Sequence, residues 1–335
     1  MKFEAEKKQD IILYILEKIE QNHPSISKCV AETYGISTNT VHSYLTELQN
    51  NRIIEKVKRG QYRFVTNQYN HTLHRAMGEL DDDTYALNTY LSKHIERLPS
   101  NIREIWEYAF TEIVNNVIDH SGAENAVISI STSYLKTSVM IADNGVGIFT
   151  KIKDFFGFSS LDEAICELFK GKLTTDENHH SGEGIFFTSK MMDDFVIFSK
   201  NKFFTTDKYN IDEDIIALTS QNDKSFINGT CVFMSLSNFS HKNSSEIFDI
   251  YSNIDGGFSK TRIPLKNIFE SSPVSRSQAK RICNRLDKFK EVVIDFDGLT
   301  WMGQGFAHQI FVVYQKEHPN IKLTPINMCE QVENM

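Results

Sequence analysis

Three polar segments far apart in the chain constrain its fold more than any other feature. The segment EIVNNVIDHS predicts a helix over 102–120 with Glu112, Asn116 and His120 at four-residue intervals. Such intervals drift only about 40° per step on an α-helix, so the three side chains share one stripe. Ile113, Val114, Val117 and Ile118 are expected on the opposite stripe. The segment DNGVGI, residues 143–148, follows an apolar strand. The segment SGEGI, residues 181–185, opens another helix, GIFFTSKMMDD, and a Gly229-Thr230 pair opens a later strand. Glycine-flanked amides at a helix start attract anions, so Gly182, Glu183 and Gly184 are expected to cradle one through backbone N–H groups.

Length and charge set outer limits. At 335 residues the chain is expected to form two or three domains. Its net charge of −8 argues against a protein that coats nucleic acid. The charged N-terminus, MKFEAEKKQD, lacks the apolar core of a secretory signal, and no run approaches the roughly 20 apolar residues of a membrane helix. A cytoplasmic location without membrane contact is expected. Cys29, Cys166, Cys231, Cys283 and Cys329 are scattered without a CxxC, which signals neither a zinc site nor a disulfide framework. The adjacent His179 and His180 have no companions at ligand spacing and read as solvated loop.

Residues 1–66 have their own logic. DIILYILEKIE carries helical apolar spacing, and Pro24 ends it. Ser27 is expected to cap KCVAETY, which stops at Gly35. Ser37 or Thr38 then caps a third helix with Val41, Leu45 and Leu48 inward, before a hairpin around Arg59-Gly60. This order is that of a winged helix-turn-helix, whose recognition helix enters the DNA major groove. Its exposed face would offer Ser37, Thr38, Asn39, Thr40, His42 and Ser43. The wing would offer Lys56, Lys58, Arg59 and Arg63. The segment carries ten Lys and Arg against eight Asp and Glu, a feeble excess beside the basic footprint usual for such modules. A winged helix used for protein contact stays open as the alternative.

Taken together, the segments around Asn116, Asp143 and Gly182 resemble the GHKL superfamily of gyrase-type ATPases, MutL, histidine kinases and anti-sigma-factor kinases. The resemblance covers about 80–240 and implies ATP and Mg²⁺ as ligands. It implies that Asn116 holds Mg²⁺, that Glu112 polarises the attacking water or hydroxyl, and that Asp143 accepts from the adenine amino group. Gly145 and Gly147 would let the backbone approach the base, with Thr230 close to it and His120 on the same nucleotide-facing edge. The polar stretch LTTDENHH would form the lid. No phosphoacceptor histidine box is present; LHRAMGEL around His74 imitates one poorly.

Residues 260–330 alternate strand and helix, which implies a parallel or mixed sheet. VVIDFDGLTWMGQGFAHQI resembles STAS-like modules, the fold of anti-sigma-factor antagonists. Met302-Gly303-Gln304-Gly305 stands where regulated members carry a phosphoacceptor serine, so a docking or dimerising surface is expected instead.

The fold class expected is therefore α+β and α/β, multidomain. A winged helix (1–66) and a connector, partly helical (67–82), precede a GHKL α/β sandwich with a mixed sheet (83–240). A small STAS-like α/β domain (256–335) ends the chain. Three functions fit this reading: a DNA-binding regulator set by Mg-ATP, an anti-sigma-type Ser/Thr kinase, or an ATP-gated homodimer without turnover. Their partners are ATP, double-stranded DNA through 1–66 and a protein through the STAS-like domain.

Overall fold

The computed structural model describes residues 2–173, 182–206, 228–252, 257–269 and 271–334. Most of the expected lid lies outside the described residues, and so does the apolar run IIAL, 215–218, which reads in the sequence as a strand. The chain divides into two compact units, one of 1–69 with 131–137, the other of 70–130 with 138–335.

In the first unit, helices α1 (Lys2–Glu20), α2 (Ile26–Tyr34) and α3 (Thr38–Asn50) precede strands β1 (Ile54–Lys58) and β2 (Gln61–Phe64). Ile11, Ile15, Leu16 and Ile19 bury one stripe of α1 against Val30, Val41, Leu45 and Leu48. Helix α2 starts earlier than expected. Ser25 takes the N-cap position without a side-chain bond, and Ser27 lies inside the helix. Ser37 caps α3 by accepting from the Thr40 amide. The β1–β2 hairpin turns at Gly60, whose φ of +75° suits glycine.

A six-stranded sheet has the order β3-β4-β5-β8-β6-β7. Its strands are β3 (Asn67–His74), β4 (Asn125–Thr132), β5 (Lys136–Asp143), β6 (Asp194–Ser199), β7 (Lys202–Thr205) and β8 (Cys231–Ser237). Strand β6 pairs antiparallel with both β7 and β8. Within the expected connector, 67–74 are extended as sheet edge β3, and the helical part is a short 3-10 turn over Arg75–Met77. Helix α4 spans 83–95, its middle wound as a π-helix over Leu87–Leu91. Helix α5 (Ser100–Asn115) buries Ile102, Ile105, Trp106, Ala109, Phe110 and Ile113, then continues as a π-helical turn over Asn116–Ser121. Helices α6 (Ile148–Phe156), α7 (Leu161–Lys170), α8 (Gly184–Met191) and α9 (Ser244–Tyr251) complete this part. In the sequence, LDEAICELFKG reads as the one helix of 151–182; the described residues of that stretch hold the end of α6 as well as all of α7.

A three-stranded parallel sheet follows, in the order β11-β10-β9, from β9 (Lys260–Pro264), β10 (Glu291–Asp295) and β11 (Lys322–Ile326). Pro325 sits on β11, an edge strand, where a missing N–H is tolerated. Helix α10 (Arg276–Cys283) opens with a capping box between Ser275 and Gln278, and α11 covers 304–317. One apolar core runs from Leu73 to Val332 through both sheets.

Candidate functional site

The π-helical turn matters for the first polar segment. A purely α-helical path carries each fourth side chain forward, and the wider π-turn offsets that drift between Asn116 and His120. Glu112, Asn116 and His120 consequently all line one cavity of ≈ 240 Å³. Ile113 and Val117 correct the expected opposite stripe: both are buried, yet they flank the polar side chains and form part of the cavity wall. The Asn116 amide nitrogen donates to the Glu112 carbonyl at 2.7 Å, which leaves its side-chain oxygen as an acceptor suited to a hard cation.

Asp143, at the end of β5, lines the same cavity and is 2% exposed. Burial pushes its carboxyl up to about 6, against hydrogen bonds from Gly145 and Thr230 that favour the charged form. The Gly145 amide donates to Asp143 Oδ1 at 2.8 Å, and the Asp143 amide donates to the Thr230 carbonyl at 2.8 Å. The Thr230 hydroxyl accepts from the Ile148 amide at 2.9 Å, so the start of β8 is tied to both sides of the DNGVGI loop.

Glycines make this convergence sterically feasible. A Cβ on Gly145 would lie 2.2 Å from the Ser121 carbonyl oxygen, where the loop meets the end of the π-turn. Gly147 has φ +82°, and a Cβ there would lie 2.6 Å from Ser199 Oγ. At the start of α8, a Cβ on Gly184 would lie 1.8 Å from Glu112 Oε2. The carboxylate thus rests against the backbone of the third segment.

Of the residues expected at the nucleotide, Glu112, Asn116, His120, Asp143, Gly147, Gly182, Gly184 and Thr230 line the cavity. Gly145 and Glu183 are absent from its wall. Gly145 instead holds the Asp143 carboxylate, and the Glu183 carbonyl accepts from Phe187 in the first turn of α8. The Leu173 amide donates to the Gly182 carbonyl at 3.0 Å. Ser181, His179 and His180 lie outside the described residues. The wall also includes Lys151, Leu168, Gly171 and Phe186, which the motifs do not contain. The sequence signal for Lys151 is its spacing from Ile148 and Ile152, three cavity-facing residues of α6 at i, i+3 and i+4. Among the described residues no group of three His, Cys, Asp or Glu could hold a metal ion. A divalent cation here would depend on Asn116 and on oxygens of its ligand.

In the first unit, Ser37, Thr38, Asn39, His42 and Ser43 are exposed on α3, with Thr40 half-buried. The Ser37 and Thr40 hydroxyls lie 2.9 Å apart and engage each other, so they are less available to an outside partner than expected. Lys56, Lys58, Arg59 and Arg63 are exposed on the hairpin, and Arg63 is paired with Glu55.

At the other end of the chain, Gly303 packs against Val274, whose carbonyl oxygen would lie 2.4 Å from an added Cβ. Met302 is buried, while Trp301 is exposed.

These features define a mixed α+β multidomain protein with several sheets. Residues 278–333 match the family model described as a STAS-like domain of unknown function (DUF4325), which identifies the C-terminal part as STAS-like. No curated protein matches the sequence. Among the described residues no helix is long and apolar enough to cross a membrane.

Proposed function

We propose that the chain is an ATP-binding regulatory protein of the GHKL type, in which Mg-ATP sets the state of a DNA-reading winged helix and of a STAS-like output. The observation that carries this reading is the convergence of Asp143, Asn116, Gly182 and Gly184 on one cavity. A buried carboxylate beside an apolar wall suits the amino edge of adenine and rejects guanine, which presents a carbonyl there. The Asn116 side-chain oxygen suits Mg²⁺ bridging phosphates. The glycine-flanked start of α8 suits the phosphates themselves. The exposed polar face of α3 and the basic hairpin support the DNA-reading part.

The test is calorimetric titration with ATP and GTP, with and without Mg²⁺. Magnesium-dependent binding selective for ATP is expected, and its absence removes the reading. Retention of duplex DNA with and without ATP tests the transcriptional part, which falls if neither state retains DNA.

The placement of Glu112 Oε2 against Gly184 favours a second reading, phosphoryl transfer to water or to a partner hydroxyl with Glu112 as base. Labelled ATP separates the outcomes: label on a partner protein marks a kinase, and free phosphate marks an ATPase.

A further inference from the structure

The cavity has a polarity along the helix that carries Asn116. Glu112, one turn before Asn116, abuts Gly184 at the start of α8. The Ser121 carbonyl, just beyond His120, accepts from the Val146 amide of the loop that follows Asp143. A nucleotide read by Asp143 and Asn116 would therefore run from adenine beside Ser121, past His120, to its distal phosphates near Glu112.

Lys151 stands at the His120 position of this path. Helix α6 turns Ile148, Lys151 and Ile152 toward the cavity, and the Lys151 Nζ donates to the His120 carbonyl at 2.7 Å. An ammonium carries three donors, one of which makes this bond, and its charge suits an anionic oxygen alongside. Among the described residues of the wall, Glu112 and Asp143 are acidic, and Lys151 is the sole Lys or Arg. Phosphate oxygens brought between two carboxylates need cations. Magnesium held by Asn116 would supply one, and Lys151 is placed to supply another nearer the nucleoside.

We propose that Lys151 is a nucleotide-binding residue whose ammonium contacts the α-phosphate, the first phosphate after the ribose. This inference rests on the ATP reading above and adds a contact that the motifs do not contain. It separates recognition into two parts: Asp143 reads the base, and Lys151 reads whether a 5′-phosphate is attached.

Adenosine, AMP and Mg-ADP, each read by competition against a fluorescent ADP analogue, test it on the full chain and on Lys151→Met and Lys151→Arg. Lys151→Met should leave adenosine affinity within about twofold and weaken AMP and ADP by about tenfold or more, the loss of one charge-assisted hydrogen bond. Lys151→Arg should recover most of the loss. Parallel weakening of adenosine would make Lys151 a packing residue and overturn the proposal, as would unchanged AMP affinity. Failure of the native chain to bind the ADP analogue would instead remove the ATP reading, and this inference with it.

Discussion

Burial and hydrogen bonding pull the Asp143 carboxyl in opposite directions, and burial wins, raising it from an ordinary 3.8 to about 6. The folded protein therefore holds a proton on Asp143 between those values while the unfolded chain does not. Stability from this group is fully present below about pH 4, is lost as pH rises from there through about 6, and is level above that. Ligand affinity should run the other way, because a charged carboxylate accepts more strongly from an amino donor. ATP affinity is expected to weaken as pH drops from 7.5 to 5. Asp143→Asn should weaken it about ten- to hundredfold at pH 7.5 and flatten that pH dependence, both read by calorimetry. Gly184 offers a second residue-level test. Alanine there would put a Cβ where Glu112 Oε2 now sits, so Gly184→Ala should displace the carboxylate. Phosphate release by Gly184→Ala should fall to the level of Glu112→Ala, and the double variant should be no worse than either. Additive losses would show that the two residues act separately.

Among the elements, those with strong periodicity or paired glycines are legible in the amino-acid sequence. Helix α5 and the DNGVGI loop fall where spacing places them, because a deep apolar stripe and close backbone approach leave few substitutes for those residue types. Strand β3 is hidden by its edge position. NQYNHTLH keeps only Leu73 buried, so it shows no apolar alternation. Helix α6 is hidden by its length, nine residues following a glycine loop, although Phe149 and Ile152 are buried. Lys151 is hidden with it. The π-turn over Asn116–Ser121 has no sequence signature. Ile113 and Val117 reach the cavity because 100° per residue sets them beside the polar stripe, and only Val114 and Ile118 fall opposite it. Capping is legible to within two residues: Ser37 caps α3 as expected, while Ser25 rather than Ser27 begins α2. Because Ser37 accepts from the Thr40 amide, Ser37→Ala should cost helix α3 about 1 kcal/mol. Faster hydrogen exchange at the first amides of α3 would show it, and unchanged exchange would mean that packing of Val41 alone holds that end.

In the molecule as a whole, the STAS-like part is fastened to the cavity-bearing part through the end of α7. Lys170 and Glu167 are almost fully buried and paired at 2.6 Å. Burial raises the Glu167 carboxyl, with the Lys170 ammonium opposing that shift. The Lys170 ammonium also donates to the carbonyls of Arg281, at 3.0 Å, and Asn284, at 2.7 Å, at the end of α10. The Lys170 carbonyl accepts from the Thr261 hydroxyl of β9 at 2.7 Å. Leu168 and Gly171, beside it, form part of the cavity wall. One short helix end thus serves both regions, and Lys170 does more there than neutralise Glu167. Replacing Lys170 with methionine removes the ion pair and two donors to helix-end carbonyls, and leaves Glu167 buried. Glu167→Gln keeps a neutral acceptor for the ammonium. Lys170→Met is expected to cost about 3–5 kcal/mol, the range for breaking a buried pair. Glu167→Gln should cost about 1–3 kcal/mol, the range for weakening a hydrogen bond to a charged group. Both tryptophans, Trp106 and Trp301, belong to this unit, so their fluorescence during urea unfolding reads the difference. Equal losses would mean that the ion pair, rather than the bonds to α10, does the fastening. No loss from Lys170→Met would mean that the apolar core spanning Leu73 to Val332 holds the two regions together without it.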